Sequence, residues 1–249
     1  MSQILIERRG DVRHVTVANH AKLNTLGSPL LEELARAFDV EGDIRAVVLT
    51  GEGDRAFIGG ADIKEMGAVT TPAGGEAFIR RVHGACAAIR ACRVPVIARI
   101  QGWCLGAGLE IAAACDLRVS ATAGRFGMPE VRVGIPSVVE AALLPGLIGW
   151  GKTRRLLLLA ETIAADEMER WGFLERVVPL EGLDGAVEEW IALIREAGPV
   201  AIANQKALIR EWEDLPMSQA INAGIAAFAK SFETKEPNEM MGHFLSRKR

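Results

Sequence analysis

Two glycine-punctuated turns, each lying between a buried apolar run and a helical stretch, constrain this chain more than any other feature. The first is Phe57-Ile58-Gly59-Gly60-Ala61-Asp62-Ile63-Lys64-Glu65-Met66, which follows the run Ala46-Val47-Val48-Leu49-Thr50. The second is Gly102-Trp103-Cys104-Leu105-Gly106-Ala107-Gly108-Leu109-Glu110, which follows the strand-like stretch 94–100, apolar apart from Arg99. Short continuous apolar runs are strands covered on both faces, and such strands alternate with helices in α/β folds. Small residues in the turns let backbone approach closely, and a helix starting at each turn offers free N–H groups at its N-terminus. Two such turns on neighbouring strands aim two donors at one oxygen, the geometry of an oxyanion hole. Each turn alone is also the ordinary form of a tight strand-to-helix connection.

The rest of the pattern agrees with an α/β chain carrying appended helices. Ile4, Ile6, Val12, Val15 and Val17 alternate with polar residues around Gly10-Asp11, the period of a half-buried hairpin. Residues 30–38 and 76–91 read as helices, the latter with Phe78, Val82, Ala85 and Ile89 on one face. Residues 51–67 read as a loop ending in a helical turn, and 117–120 as a strand. After Gly127 the pattern turns helical, with breaks at Pro136, Pro145 and Gly172. Helices are expected over 186–197, 200–213, 217–232 and 237–246.

Composition removes several chemistries. The chain has no Tyr and only four scattered His (His14, His20, His83, His243), so a His-built metal site or triad has little material. A net charge of −3 gives no footprint for nucleic acid, and Arg247-Lys248-Arg249 reads as a solvated tail. Cys86, Cys92, Cys104 and Cys115 form no CxxC pair, and residues 1–9 do not resemble a signal peptide. Reduced, buried thiols in a cytoplasmic protein are the expectation. The longest uncharged run, 215–229, is shorter than the roughly 17–25 residues of a spanning helix, so a soluble chain without membrane contact is expected. Gly146 to Thr153 formally satisfies the P-loop pattern, but a bulky Leu-Ile-Gly-Trp interior after Pro145 reads as a helix-to-helix turn. Gly102, Gly106 and Gly108 lack dinucleotide-binding spacing.

Two carboxylates stand in apolar company. Glu110 closes the second turn, and Glu130 follows Pro129 in Arg125-Phe-Gly-Met-Pro-Glu130. Either one alone is also an ordinary helix-start carboxylate favoured by the dipole. Together, with burial holding them in different protonation states, they supply an acid and a base for one pair of carbons.

With these residues the sequence resembles the enoyl-CoA hydratase/isomerase (crotonase) family. The most specific matches are Gly60-Ala61-Asp62-Ile63-Lys64-Glu65-Met66, Gln101 through Glu110, and Phe126-Gly127-Met128-Pro129-Glu130. Lesser ones are Asn24-Thr25-Leu26, Cys115-Asp116-Leu117, Trp171-Gly172-Phe173-Leu174 and the C-terminal Phe244 to Lys248. The resemblance implies a crotonase-like spiral of ββα turns over residues 1–195 and a C-terminal helical trimerisation segment over 196–249. It implies homotrimers or dimers of trimers, and acyl-CoA thioesters as substrates. CoA is then part of the substrate, and no separate cofactor or metal is implied.

By the same resemblance the N–H groups of Ala61 and Ala107 form the oxyanion hole. Ala61, Asp62, Ile63 and Lys64 line the CoA and adenine pocket, and Lys22 contacts a phosphate. Glu110 and Glu130 occupy both hydratase glutamate positions, which implies hydration of a 2-enoyl-CoA, as in β-oxidation of fatty acids. Glu110 would position and deprotonate the water, and protonated Glu130 would deliver the α-proton. Between Val133 and Ala142 the chain departs from the family, placing Val138, Val139 and Glu140 where a glycine-rich loop is usual. Glu140 is expected to cap or pair on a helix. The nearest alternative activity is Δ3–Δ2 enoyl-CoA isomerisation. A glycosidase would use paired carboxylates but needs aromatic platforms this chain scarcely has, and a noncatalytic acyl-CoA binder has no need of both glutamates.

Overall fold

The computed structural model describes residues 2–246, so the basic tripeptide Arg247-Lys248-Arg249 lies outside the described residues. In chain order the strands are β1 (Gln3–Arg9), β2 (Val12–Ala18), β3 (Ala46–Gly51), β4 (Ala56–Ile58), β5 (Val96–Ile100), β6 (Trp103–Leu105), β7 (Leu117–Ala121), β8 (Arg125–Gly127), β9 (Ile163–Ala164) and β10 (Arg176–Val178). The helices are α1 (Ser28–Arg36), α2 (Ile63–Gly67), α3 (Pro72–Ala91), α4 (Ala107–Ala114), α5 (Leu144–Leu159), α6 (Ala165–Trp171), α7 (Leu183–Glu196), α8 (Pro199–Asp214), α9 (Met217–Ser231) and α10 (Glu236–Ser246).

The hairpin β1–β2 turns at Gly10, whose φ of 63° suits a residue without Cβ. One sheet runs β1-β2-β3-β5-β7-β10, parallel from β2 onward, and a second runs β4-β6-β8-β9. The chain visits them in rotation. β3, β5 and β7 each lie in the large sheet and are followed by β4, β6 and β8 in the small one, then by helical residues. That rotation is the spiral of ββα turns.

Strand alternation explains why both faces of the large sheet are buried. Val47, Leu49, Val96, Ala98 and Ile100 point into the main core with α1, α3 and α4. Ala46, Val48, Ile97, Val119 and Ala121 point the other way, where Leu183, Val187, Ile191 and Ile194 of α7 cover them. With both faces covered, both sets of alternate residues are mostly apolar, which is why β3 and β5 read as near-continuous apolar runs, broken only near their ends by Thr50 and Arg99. Beyond α7, α8–α10 form a helical segment in which α8 packs against α9 and touches α10.

Three expectations need correcting. Residues 51–67 are not loop throughout, because β4 occupies 56–58. Pro145 does not break a helix: it lies in the first turn of α5, where a missing N–H costs nothing. Residues 130–143 hold two short 3-10 turns around Gly134 (φ 83°) and Pro136 rather than a regular helix.

Candidate active site

The small sheet builds the site. Strands β4, β6 and β8 are parallel neighbours, so their C-terminal ends face one way. β4 leads into Gly59-Gly60-Ala61, β6 into Gly106-Ala107, and β8 into Met128-Pro129-Glu130. Ligand crevices in parallel sheets form at such ends, where the chain leaves the strands as turns and helices.

Glycine is required where the turns press on one another. Gly60 (φ 113°) backs onto the Leu105 carbonyl, and a Cβ there would lie 3.3 Å from that oxygen. Gly108 rests on the Ile58 carbonyl so tightly that no Cβ fits, and so binds the start of α4 to the end of β4. Buried amide side chains complete the frame. Gln101 Nε2 donates to the carbonyls of Gly51 (2.8 Å) and Ala56 (2.7 Å), and Asn24 Nδ2 donates to that of Ala56 (2.8 Å).

Among the described residues, two backbone donors of these turns are left without a hydrogen-bond partner. Leu26 N–H bonds the Gly60 carbonyl at 2.9 Å and Asp62 N–H bonds the Leu26 carbonyl at 2.8 Å, which bypasses Ala61 N–H between them. Ala107 is the first residue of α4, and its N–H has no carbonyl one turn back to bond. Ala61, Ile63, Ala107, Glu110 and Glu130 all line one cleft of about 660 Å³, open to solvent. Met66, Phe78, Val82 and Val138 supply apolar walls.

Burial governs the two carboxyls. Glu110, on the first turns of α4, is 4 % exposed. Burial first, then the charge of Glu130, pushes its pKa up to about 8, against smaller opposing effects from the backbone of Ala141 and Val138. Glu130 opens the 3-10 turn Glu130–Val133, and burial raises its pKa too, opposed in part by its Ser137 hydrogen bond. Ser137 Oγ donates to Glu130 Oε2 at 2.9 Å. Glu130 Oε1 lies over Gly106, where a Cβ would come within 2.5 Å of it.

Lys22, Asp62 and Lys64 stand outside the cleft wall, on the surface beside Ala61 and Ile63. The Asp62 carboxylate caps α2, accepting from the N–H of Lys64 at 2.9 Å and of Glu65 at 3.3 Å. Lys22 Nζ lies 3.4 Å from the same carboxylate. Sequence reasoning missed Ser137, whose hold on Glu130 no local pattern announces. It placed Glu140 on a helix pairing without a partner, and the partner is His83 of α3, at 2.8 Å. The P-loop lookalike lies inside α5, kinked at Gly149 (φ 76°), with no strand before it. Among the described residues no cluster of three His, Cys, Asp or Glu could hold a metal ion, and all four cysteines are buried and free.

The family model for enoyl-CoA hydratase/isomerase matches residues 7–249. The chain belongs to that family. The short-chain-enoyl-CoA hydratase of Clostridium acetobutylicum is 32 % identical, the alignment covering 100 % of this chain and 97 % of the relative. A crotonyl-CoA hydratase of Syntrophomonas wolfei is 32 % identical over 99 % of this chain and 96 % of its own length. Among solved structures, an enoyl-CoA hydratase from Mycobacterium smegmatis superposes with a TM-score of 0.94 at 28 % identity, covering 98 % of this chain and 96 % of that one. The fold is thus that of enoyl-CoA hydratases along nearly the whole chain. Among the described residues no helix is long and apolar enough to cross a membrane.

Proposed function

We propose that this member of the family is an enoyl-CoA hydratase, adding water across C2=C3 of a 2-enoyl-CoA thioester. The observation that carries the reading is that Glu110 and Glu130 share one cleft with the unused N–H groups of Ala61 and Ala107. Attack of water at C3 moves negative charge onto the thioester oxygen. Two N–H dipoles at that oxygen stabilise the enolate, and losing one such donor costs about 10²–10³ in rate. One carboxylate takes a proton from the water, and one carboxylic acid gives a proton to C2. The apolar wall of Met66, Phe78, Val82 and Val138 suits a short acyl chain. The CoA portion would leave past Ile63, with Lys22 and Lys64 near enough to its phosphates to pair with them. The reaction then needs no cofactor beyond the CoA that the substrate carries. Four free thiols suit a reducing, cytoplasmic compartment. Mixing the protein with crotonyl-CoA should remove the conjugated enoyl absorbance, and no loss at any chain length would refute the reading.

The two glutamates act as one acid–base unit. Burial raises both pKa values above the ordinary 4.5, that of Glu110 up to about 8, so across neutral pH the unit keeps a proton to give. Burial supports Glu110 as the holder of that proton, whereas the family resemblance gives it to Glu130. One shared proton serves either order. The pair loses its acid when the second proton leaves. We therefore expect kcat/KM to fall about tenfold per pH unit above roughly pH 8, and to fall again at low pH once both carboxyls are protonated. A profile flat to pH 10 would refute the shared-proton unit.

Assembly follows from α9. Met217, Ile221, Ile225 and Phe228 recur every three or four residues and are all more than half exposed. A stripe of this kind is a surface to be covered by another chain. We expect light scattering to report a trimer or a dimer of trimers, and a monomer at micromolar concentration would contradict this.

A further inference from the structure

The segment that departs from the family pattern doubles back onto the carboxyl it follows. The N–H of Ile135 donates to the Glu130 carbonyl at 3.2 Å, which closes the turn, and Gly134 (φ 83°) reverses the chain. Ser137 thereby returns beside the Glu130 side chain, and its Oγ donates to Oε2 at 2.9 Å. The residues just beyond are fixed. Val139 holds a φ of 39°, strained for a β-branched residue, and such strain persists where the surroundings over-determine a conformation. Glu140 is buried and bonded to His83 of α3 at 2.8 Å. The other oxygen of Glu130, Oε1, lies over Gly106, the residue before Ala107. One oxygen is therefore held, and the other faces the turn that presents a donor to the cleft.

Among the described residues Ser137 makes the one side-chain hydrogen bond to Glu130. The ionisable group across the cleft is Glu110 of α4. Arg132, on the same turn as Glu130, donates instead to the Leu159 carbonyl of α5 at 3.4 Å. On α5 itself Lys152 donates to the Trp171 carbonyl, Arg154 stacks on Trp150, and Arg155 pairs with Glu161 and Glu167. A glutamate has three side-chain torsions to fix, and a reacting group left to sample them slows the step it serves.

We propose that Ser137 is a positioning residue for the hydration step, its hydroxyl pinning one oxygen of Glu130 and so aiming the other at the reacting carbons beside the Ala107 donor. A donor on Oε2 also favours the ionised form of Glu130, which leaves the proton of the pair to Glu110. The proposal rests on the hydratase reading.

Its signature is a change in one limb of the pH profile that a second hydroxyl reverses. Ser137→Ala removes the donor and little else, since the side chain is only half-buried. It should lower kcat for crotonyl-CoA about 10-fold to 100-fold and leave KM within about twofold. At the acidic limb of kcat/KM the pair passes from two protons to one, and the carboxyl that ionises there is Glu130, because Glu110 keeps its proton up to about pH 8. Losing a donor to the ionised form raises that pKa, so the acidic limb should move up by about half to one pH unit while the alkaline limb stays in place. Ser137→Thr keeps the hydroxyl and should return both kcat, to within about threefold of wild type, and the acidic limb. A serine that only closes its own loop predicts lost thermal stability with the limb unmoved. An acidic limb that stays in place in Ser137→Ala, or a threonine variant as slow as the alanine one, overturns the proposal. Wild-type protein that hydrates no enoyl-CoA overturns the hydratase reading itself. Wild-type hydration that Ser137→Ala leaves unchanged overturns only the role of the serine.

Discussion

Glu110→Gln and Glu130→Gln are each expected to lower kcat for hydration of crotonyl-CoA by about 10²–10⁴, the range for a positioned acid or base. Both amides keep the size of the carboxyl, and neither residue reaches the surface where CoA phosphates would pair. The dissociation constant for CoA should therefore change by less than about threefold. The double variant should be little worse than either single one, because half of a two-member acid–base unit does no work. Initial rates by loss of enoyl absorbance check the first claim, and calorimetric titration with CoA the second. Wild-type turnover in either variant would remove that residue from the mechanism.

Glu110→Gln carries a second, opposite consequence for stability. The folded chain holds the Glu110 proton up to about pH 8, well above its ordinary value of 4.5. This group therefore favours folding fully below pH 4.5, and its contribution is lost as pH rises through 8. Each pH unit between the two values is worth about 1.4 kcal/mol, so at pH 8 the ionised form costs on the order of 2–4 kcal/mol. The amide removes that cost. Thermal melts should show the variant more stable than wild type at pH 8 and nearly equal at pH 4.5. An inactive variant with a raised Tm is the mark of a carboxyl kept for chemistry at the expense of the fold.

Gly106→Ala is expected to be nearly as damaging, although it removes no functional group. Position 106 has a φ of 52°, and the new methyl would lie 2.5 Å from Glu130 Oε1. The carboxyl must then move, and with it the start of α4 that presents Ala107 N–H. Misplacing reacting groups by about 1 Å costs on the order of 10²-fold, and the change disturbs both a donor and an acid–base group. We expect kcat/KM to fall by at least about 10², with far-UV circular dichroism unchanged. Gly67→Ala is the control, since nothing lies within 4 Å of a Cβ there. Its activity should match wild type, and equal losses in both variants would show that Gly106 has no special place.

The large sheet and the long helices were legible in the sequence because their signal is periodic. Buried strands such as β3 and β5 read as apolar runs, and the C-terminal helices were placed to within a few residues by apolar spacing. The three strands that build the site were not legible. β4, β6 and β8 have three residues each, too few to show a period, and they sit inside glycine-rich stretches that read as loop. The glycines nonetheless pointed to the right places, because close backbone approach leaves a mark in composition at the turn itself.

Long-range pairings left no such mark. His83 and Glu140 are 57 positions apart, and His83 alone looks like any surface histidine. Ser137 is one of several small polar residues in its loop, and its hold on Glu130 depends on how the chain bends at Gly134 and Pro136. Glu110 and Glu130 were recognisable from their apolar surroundings, since burial is what raises a carboxyl pKa. Their sharing of one cleft depends on β6 pairing with β8.

The most direct test is to incubate the protein with crotonyl-CoA in ¹⁸O-labelled water and determine the mass of the product. A 3-hydroxyacyl-CoA heavier by one water is expected, with the label in the new hydroxyl and its incorporation slowed by about 10²–10⁴ in Glu110→Gln. A product of unchanged mass with a shifted double bond, or unaltered substrate across a series of 2-enoyl chain lengths, would contradict it.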